Sequence, residues 1–344
     1  MIGCRLEAQA TRFRLARPFV IARGTREAIT LVTVTLHAQG VRGWGEGAPS
    51  ARYDESPDSV LAQIEALRPR IEAGVTRAEL ATIMAPGAAR NAIDCALWDL
   101  EAKLTGVPVA ARLGAGGDPA GGVVTAVTLG IDTPGAMAAR AHEIAADRPA
   151  GWPAPLLKIK LDGRLVTERV TAIREAAPDA VLIADANESW DMRTLETALP
   201  ALGAARVALL EQPLPAGKDE ALAGLGSPVP LAADESAHEA RDVPRLAALY
   251  DYVTIKLDKS GGLTGAWALA DAAQAAGMGV MTGCMLCSSL SVAAAWPIAR
   301  RSRFVDLDGP LWLAQDRPGG CVLENGLWRA PVGLEWGRGG HSAP

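Results

Sequence analysis

The sequence predicts an α/β protein built around a TIM-type barrel, with a smaller α+β domain before it. Three observations carry this. From residue 123 onward, short apolar runs alternate with Ala- and Leu-rich stretches of helical spacing, the pattern of βαβ units in a parallel sheet. The polar residues ending these runs recur regularly: from Lys160 through Asp185, Glu211, Asp234, Lys256 and Met285 to Asp308 the gaps are 25, 26, 23, 22, 29 and 23. That interval is one strand, one helix and two short loops, and eight such strands make a barrel. The first 115 or so residues lack the repeat and read as sheet followed by helices.

In chain order, LVTVTLHAQGVRGWGEG reads as two strands joined by a turn at Gln39 and Gly40. SPDSVLAQIEALRPRIEAG reads as a helix capped by Ser56, with Asp58 in its first turn. AARNAIDCALWDLEAKLTG reads as a second long helix, stopped by Gly106 and Pro108. GAGGDPAGG (114–122) reads as a linker. It is a poor nucleotide loop, because it follows a helix and Pro119 stands where GxGxxG needs its last glycine. The barrel strands are expected in VVTAVTLG (123–130), LLKIKLD (156–162), VLIADAN (181–187), VALLEQP (207–213), PLAADES (230–236), YVTIKLD (252–258), GVMTGCM (279–285) and FVDLDGP (304–310). The tail CVLENGLWRAPVGLEWG reads as extended segments returning to the first domain. The expected division is 1–115, 123–318 and 319–344.

Composition narrows the function classes. The 344 residues are 49% hydrophobic and 21% charged, with a formal net charge of −5. This suits a soluble globular protein, and the absence of a basic run speaks against a nucleic-acid partner. No apolar run approaches the roughly 20 residues of a membrane span. MIGCRLEAQATRFRL lacks an apolar signal core, so a cytoplasmic location is expected. A homo-oligomer is compatible with the sequence, which does not determine it. The cysteines, Cys4, Cys95, Cys284, Cys287 and Cys321, are odd in number and scattered, which reads as reduced thiols rather than a disulfide framework. The four histidines, His37, His142, His238 and His341, show no metal spacing, so a metal here would take oxygen ligands.

The strand ends then point to chemistry. In a TIM barrel the active site lies at the C-terminal ends of the strands. Asp185, Glu211 and Asp234 end the third, fourth and fifth strands, and adjacent strands lie roughly 5 Å apart. Three converging carboxylates repel one another unless a hard divalent cation sits among them, and Mg²⁺ suits oxygen ligands. Lys160 ends the second strand and Lys256 the sixth, half a circumference apart, with Lys158 on the same inward face as Lys160. Mg²⁺ on a substrate carboxylate would stabilise an enolate. One lysine could then remove the α-proton from one face while the other returns a proton to the opposite face. If FVDLDGP is extended, Asp306 and Asp308 point to one spot facing the metal, where a substrate ammonium would fit.

These residues resemble a known family. KIK at 158–160, DANESW at 185–190, EQP at 211–213, DES at 234–236 and KLDKSGG at 256–262 are similar in order and spacing to the enolase superfamily, muconate-lactonizing-enzyme-like branch. The resemblance covers essentially the whole chain. It implies a capping domain, a modified (β/α)7β barrel and a C-terminal return to the cap. It also implies Mg²⁺ ligation by Asp185, Glu211 and Asp234, and acid/base roles for Lys160 and Lys256. Lys158 would support the substrate carboxylate, Asn187 would stand behind the ligands, and Glu235 would orient or tune Lys256. The DxD of Asp306 and Asp308 resembles the dipeptide epimerases, where it holds the free amino terminus. GCMLCSSL (283–290) and ADESAHEA (233–240) are similar to those acting on L-Ala-D/L-Glu, a product of cell-wall peptide breakdown. PFVIARGT (18–25) and SARYDES (50–56) match the cap's mobile specificity loops, with Arg23 implied for the glutamate γ-carboxylate and Tyr53 for lid closure. Rival readings on the same site are o-succinylbenzoate synthase, muconate cycloisomerase and N-acylamino acid racemase. Their substrates carry no ammonium and would leave Asp306 and Asp308 without a partner.

Overall fold

The structure is a computed structural model, and it describes residues 3–115, 121–147, 151, 153–324 and 327–339. Part of the expected linker (116–120), and the last five residues including His341, lie outside the described residues.

The chain opens with an antiparallel sheet of β1 (Arg5–Ile21), β2 (Gly24–Ala38) and β3 (Val41–Gly47). The Gln39–Gly40 turn is as expected, with φ of 49° and 78°. The long first strand was not legible, because its apolar residues are sparse and only the edge pairing with β2 orders it. That pairing also corrects the reading of PFVIARGT as a loop: it is the tip of the β1–β2 hairpin, with Phe19 opposite Arg26 and Ile21 opposite Gly24. Helices α1 (Pro57–Glu72), α2 (Arg77–Ile83) and α3 (Ala88–Thr105) follow. Ser56 caps α1 and Gly106 ends α3 in the left-handed region, as their residue types dictate. Helix α3 is buried on nearly every side, wedged between cap and barrel. Gly43, Gly45 and Gly47 of β3 make this fit possible, since a Cβ on any of them would collide with the α3 carbonyls of Ala96, Ala92 and Ala88.

After α4 (Val109–Arg112) and the short β4 (Val123–Val124) comes an eight-stranded parallel sheet with strands adjacent in chain order. They are β5 (Ala126–Leu129), β6 (Leu156–Lys160), β7 (Val181–Asp185), β8 (Val207–Glu211), β9 (Leu231–Ala233), β10 (Tyr252–Ile255), β11 (Gly279–Gly283) and β12 (Phe304–Asp306). Around them lie α5 (Pro134–Ala146), α6 (Val166–Ala176), α7 (Met192–Ala204), α8 (Val243–Leu246), α9 (Leu257–Ser260), α10 (Leu263–Ala275) and α11 (Ser289–Ala299). The repeat is modified: a 3₁₀ turn at Asp219–Leu222 follows β8, and only the four-residue α8 follows β9. The barrel interior carries Leu156, Ile183, Leu209, Ala232 and Met281 below the charged strand ends. The seam between β12 and β5 is closed by side chains. Leu307 N donates to Thr125 Oγ1 at 2.9 Å, and Thr128 N donates to Asp308 Oδ2 at 2.8 Å.

Two strands were read too long. VVTAVTLG breaks at Thr125, so β4 pairs with β14 (Leu327–Arg329), itself paired with β13 (Val322–Glu324). FVDLDGP is a strand only to Asp306. Asp308 caps a 3₁₀ turn (Gly309–Trp312) at φ −84°, ψ 4°, because it must reach across the seam to Thr128. The C-terminal segment touches the cap, where Trp336 Nε1 donates to Trp44 O at 2.9 Å and Gly337 N to Asp99 Oδ1 at 2.7 Å.

Candidate active site

The charged strand ends converge at the C-terminal mouth of the barrel. The ladder sets Lys160 opposite Asp185 and Asp185 opposite Glu211, so their positions follow from strand register alone. Lys160 Nζ lies 2.5 Å from Asp185 Oδ2. Lys158 Nζ reaches three carboxylates, Glu211 Oε2 at 2.6 Å, Asp306 Oδ2 at 2.7 Å and Asp185 Oδ2 at 3.2 Å. Across the mouth, Lys256 Nζ lies 2.6 Å from Asp234 Oδ2 and Lys259 Nζ 2.7 Å from Asp234 Oδ1. Lys256 follows β10, four strands along from β6, and both Lys160 and Lys256 line one cavity of about 710 Å³ under the cap.

The electrostatics are those of a crowded acidic floor. Burial first, then the charge of Asp185, pushes the Glu211 carboxyl up to about 8. Burial works the same way on Asp185, but Lys160 and Lys158 outweigh it and hold Asp185 below the usual carboxylate range. Burial would likewise raise Asp234, and Lys256 and Lys259 hold it low. Burial would lower Lys256, and Asp234 and Glu211 hold the amine above its ordinary range.

These groups fit a divalent cation. Glu211 Oε1 is buried with no hydrogen-bond partner, an expensive state for a carboxylate oxygen. Among the described residues no three carboxylates close on one point, because the Lys158 amine stands among Asp185, Glu211 and Asp306. Asn187 holds Asp185 from behind, its N and Nδ2 donating to Oδ1 and Oδ2 at 2.9 and 3.1 Å. It does so from a left-handed conformation (φ 46°) followed by another at Glu188 (φ 66°), strain that tight packing at a functional loop sustains.

Asp306 and Asp308 remain neighbours despite the strand break. Burial and then Asp306 push the Asp308 carboxyl up to about 6. Asp308 Oδ2 accepts from Thr128 N and from Trp312 Nε1, while Asp306 Oδ1 is buried without a partner. Glu235 does not meet Lys256. Its Oε1 accepts from Arg23 Nη1 at 2.8 Å, and burial followed by Asp234 raises its pKa. Arg23 also donates to Asn187 O at 3.2 Å and Glu188 Oε2 at 3.1 Å. Tyr53 packs edge-on against His238 with centroids 5.2 Å apart. Cys284 borders the same cavity, with Cys287 buried behind it.

Several residues here were not singled out from the sequence. Glu188 takes Arg52 through two bonds, Nε–Oε2 at 2.6 Å and Nη2–Oε1 at 2.7 Å, tying the 50–56 turn to the barrel. Its place inside DANESW was the available signal. Lys259 is fully buried on the carbonyls of Asp234, Ala237 and Thr254, and KLDKSGG contained it. Thr128 and Trp312 carried no signal, since only the seam gives them their role.

This is the architecture and charge pattern of the enolase superfamily, and sequence comparison agrees. Residues 136–337 match the enolase C-terminal domain-like family, and residues 5–114 match the mandelate racemase / muconate lactonizing enzyme N-terminal domain. The chain belongs to this family. It is 48% identical over 304 residues to the L-Ala-D/L-Glu epimerase of Escherichia coli (strain K12), covering 88% of this chain and 92% of that protein. It is 44% identical over 317 residues to an N-acetyl-D-glutamate racemase of a Pseudoalteromonas species, covering 91% and 96%. Among solved structures, an enolase family member from Agrobacterium tumefaciens with homology to dipeptide epimerases, bound to sodium and L-Ala-L-Glu, matches with a TM-score of 0.91 at 45% identity over 97% of this chain and 100% of that one. A dipeptide epimerase from Enterococcus faecalis V583, complexed with Mg and L-Leu-L-Tyr, matches with a TM-score of 0.86 at 30% identity over 96% and 99%.

Proposed function

We propose that the chain is a magnesium-dependent dipeptide epimerase that inverts the α-carbon of the C-terminal residue, interconverting L-Ala-D-Glu and L-Ala-L-Glu. The observation that carries this is the pair of amines, Lys160 and Lys256, entering one cavity from strands half the barrel apart. Proton removal on one face and delivery on the other is what such a pair can do. Asp185, Glu211 and Asp234 would hold the magnesium ion, and Asn187 would keep Asp185 aimed. When bound, the ion supplies Lewis-acid stabilisation of the negative charge that develops on the substrate carboxylate. Lys158 supports that charge from the floor, at the head of the carboxylate cluster.

Asp306 and Asp308 select the dipeptide. The unpartnered Asp306 Oδ1 offers an acceptor to the substrate ammonium, which an N-acylated amino acid or an o-succinylbenzoate precursor lacks. Arg23 and Tyr53, on the two cap segments over the mouth, complete the substrate pocket, and Glu235 positions Arg23. The same reading divides the chain into a cap (1–115), a barrel (123–318) and a returning C-terminal segment (319–344). It places the enzyme in the cytoplasm, acting on peptide released from the cell wall. No described helix is long and apolar enough to cross a membrane.

The test is proton NMR in deuterated water with the purified protein and Mg²⁺. Deuterium should enter the glutamate α-position of both L-Ala-L-Glu and L-Ala-D-Glu, and not that of N-acetyl-D-glutamate. Exchange on the acetylated compound alone would assign the site to N-acyl racemisation instead.

A further inference from the structure

The rim of the mouth carries more positive charge than Arg23 can account for. Arg23 and Arg52 face Glu188 and Glu235, two arginines against two glutamates, so that cluster is electrically balanced. Arg26 is not part of it. It forms no hydrogen bond or ion pair with any described residue, although it borders the cavity that holds Lys160 and Lys256. Its orientation follows from the hairpin register. Arg26 lies opposite Phe19, and cross-strand partners share a face. Phe19 packs edge-on against Trp312, with centroids 4.6 Å apart, on the barrel side of the sheet. The only charged neighbour that affects the Arg26 guanidinium is Arg23, which together with partial burial lowers its pKa. Two guanidiniums side by side, one of them uncompensated, make a place for an anion.

We propose that Arg26 is the specificity residue for an acidic side chain on the C-terminal residue of the dipeptide, receiving its carboxylate beside Arg23. This rests on the dipeptide reading of the site and deepens it. Arg23 is anchored through Nη1 by Asn187, Glu188 and Glu235, so it supplies a fixed wall whose charge is already matched. Arg26 supplies the net positive charge that separates glutamate from its neutral isostere glutamine. A site built around an ion pair rejects the uncharged analogue because the arginine is then left unmatched.

The experiment compares L-Ala-L-Glu with L-Ala-L-Gln, by turnover and by titration calorimetry, in wild type, Arg26→Gln and Arg26→Lys. Arg26→Gln should lower kcat/KM and affinity for L-Ala-L-Glu by about ten- to a hundredfold while leaving L-Ala-L-Gln within about twofold. Arg26→Lys should recover part of the loss. Equal losses on both dipeptides, no loss on L-Ala-L-Glu, or a wild type without preference for the acidic dipeptide would each overturn the assignment. A wild type that binds L-Ala-L-Glu selectively but exchanges no α-proton would remove the epimerase reading, and the binding ratios would still decide the role of Arg26.

Discussion

The floor of the mouth and its rim are built on different principles. Floor residues sit at strand ends whose register is set by backbone ladders, and they are shielded from water: Lys158 is 1% exposed and Glu211 0%. Rim residues sit on a hairpin tip and a 3₁₀ turn of another domain, where the Arg23 and Arg52 side chains are each 37% exposed. The floor orders its charges through geometry that no single side chain can alter. The rim orders its charges through Glu188, one residue of the barrel reaching into the cap. Proton transfer needs fixed distances and suits the first arrangement. Substrate selection needs entry and exit, and suits the second.

The largest expected effects come from the floor. Lys160→Ala and Lys256→Ala should each lower epimerisation by about 10²- to 10⁴-fold, the range for removing a general acid or base. The contrast between the two is sharper than either loss. Each variant should still exchange the α-proton of one epimer in deuterated water, and the two should retain opposite epimers. Both variants retaining the same epimer would show that the amines do not divide the two faces of the substrate. Each variant's thermal transition should be recorded alongside, since Asp185 or Asp234 loses an ion-pair partner.

A middle-sized effect is expected at the seam, where floor and substrate pocket share Asp308. With its carboxyl raised to about 6, Asp308 is increasingly protonated below that pH and loses its attraction for an ammonium. KM for the dipeptide should therefore rise as pH falls through about 6. The stability contribution has the opposite sign. A folded-state pKa above the unfolded one favours the folded state at low pH, and this contribution is lost as pH rises through about 6. Asp308→Asn should flatten both dependences and weaken dipeptide binding by about ten- to a hundredfold, as for loss of one charged hydrogen bond. Calorimetry should find Mg²⁺ affinity nearly unchanged. Equal losses for Mg²⁺ and dipeptide would mean that the seam, rather than the ammonium, is what Asp308 serves.

The same division explains what the sequence disclosed. Asp185, Glu211, Asp234, Lys160 and Lys256 were legible because a strand end repeated every 25 or so residues leaves a periodic trace. Asn187 was legible through its spacing from Asp185. Asp308 was found but its conformation was not, since the turn at residue 308 answers to Thr128, 180 positions away. The rim was read least well. PFVIARGT looks like a loop because its pairing with β2 contributes backbone bonds and no apolar pattern. Arg52 and Glu188 meet only through the fold, over a separation of 136 residues. Local patterning reports local structure, and the cap meets the barrel through contacts that have no local signature.

The smallest expected effect tests the rim directly. Glu188→Gln removes the charge that holds Arg52 and steadies Arg23, but leaves every floor residue in place. The pair is partly solvated, so its loss should cost about 0.2–1 kcal/mol. That corresponds to a KM increase of roughly two- to fivefold with kcat unchanged. The 50–56 turn should also become a better trypsin substrate at Arg52, because its tether to the barrel is gone. A fall in kcat comparable to that of the lysine variants would break the distinction between the two regions. Glu188 adjoins Asn187, which carries Asp185, so such a fall would mean that the left-handed turn transmits cap position into the alignment of the floor.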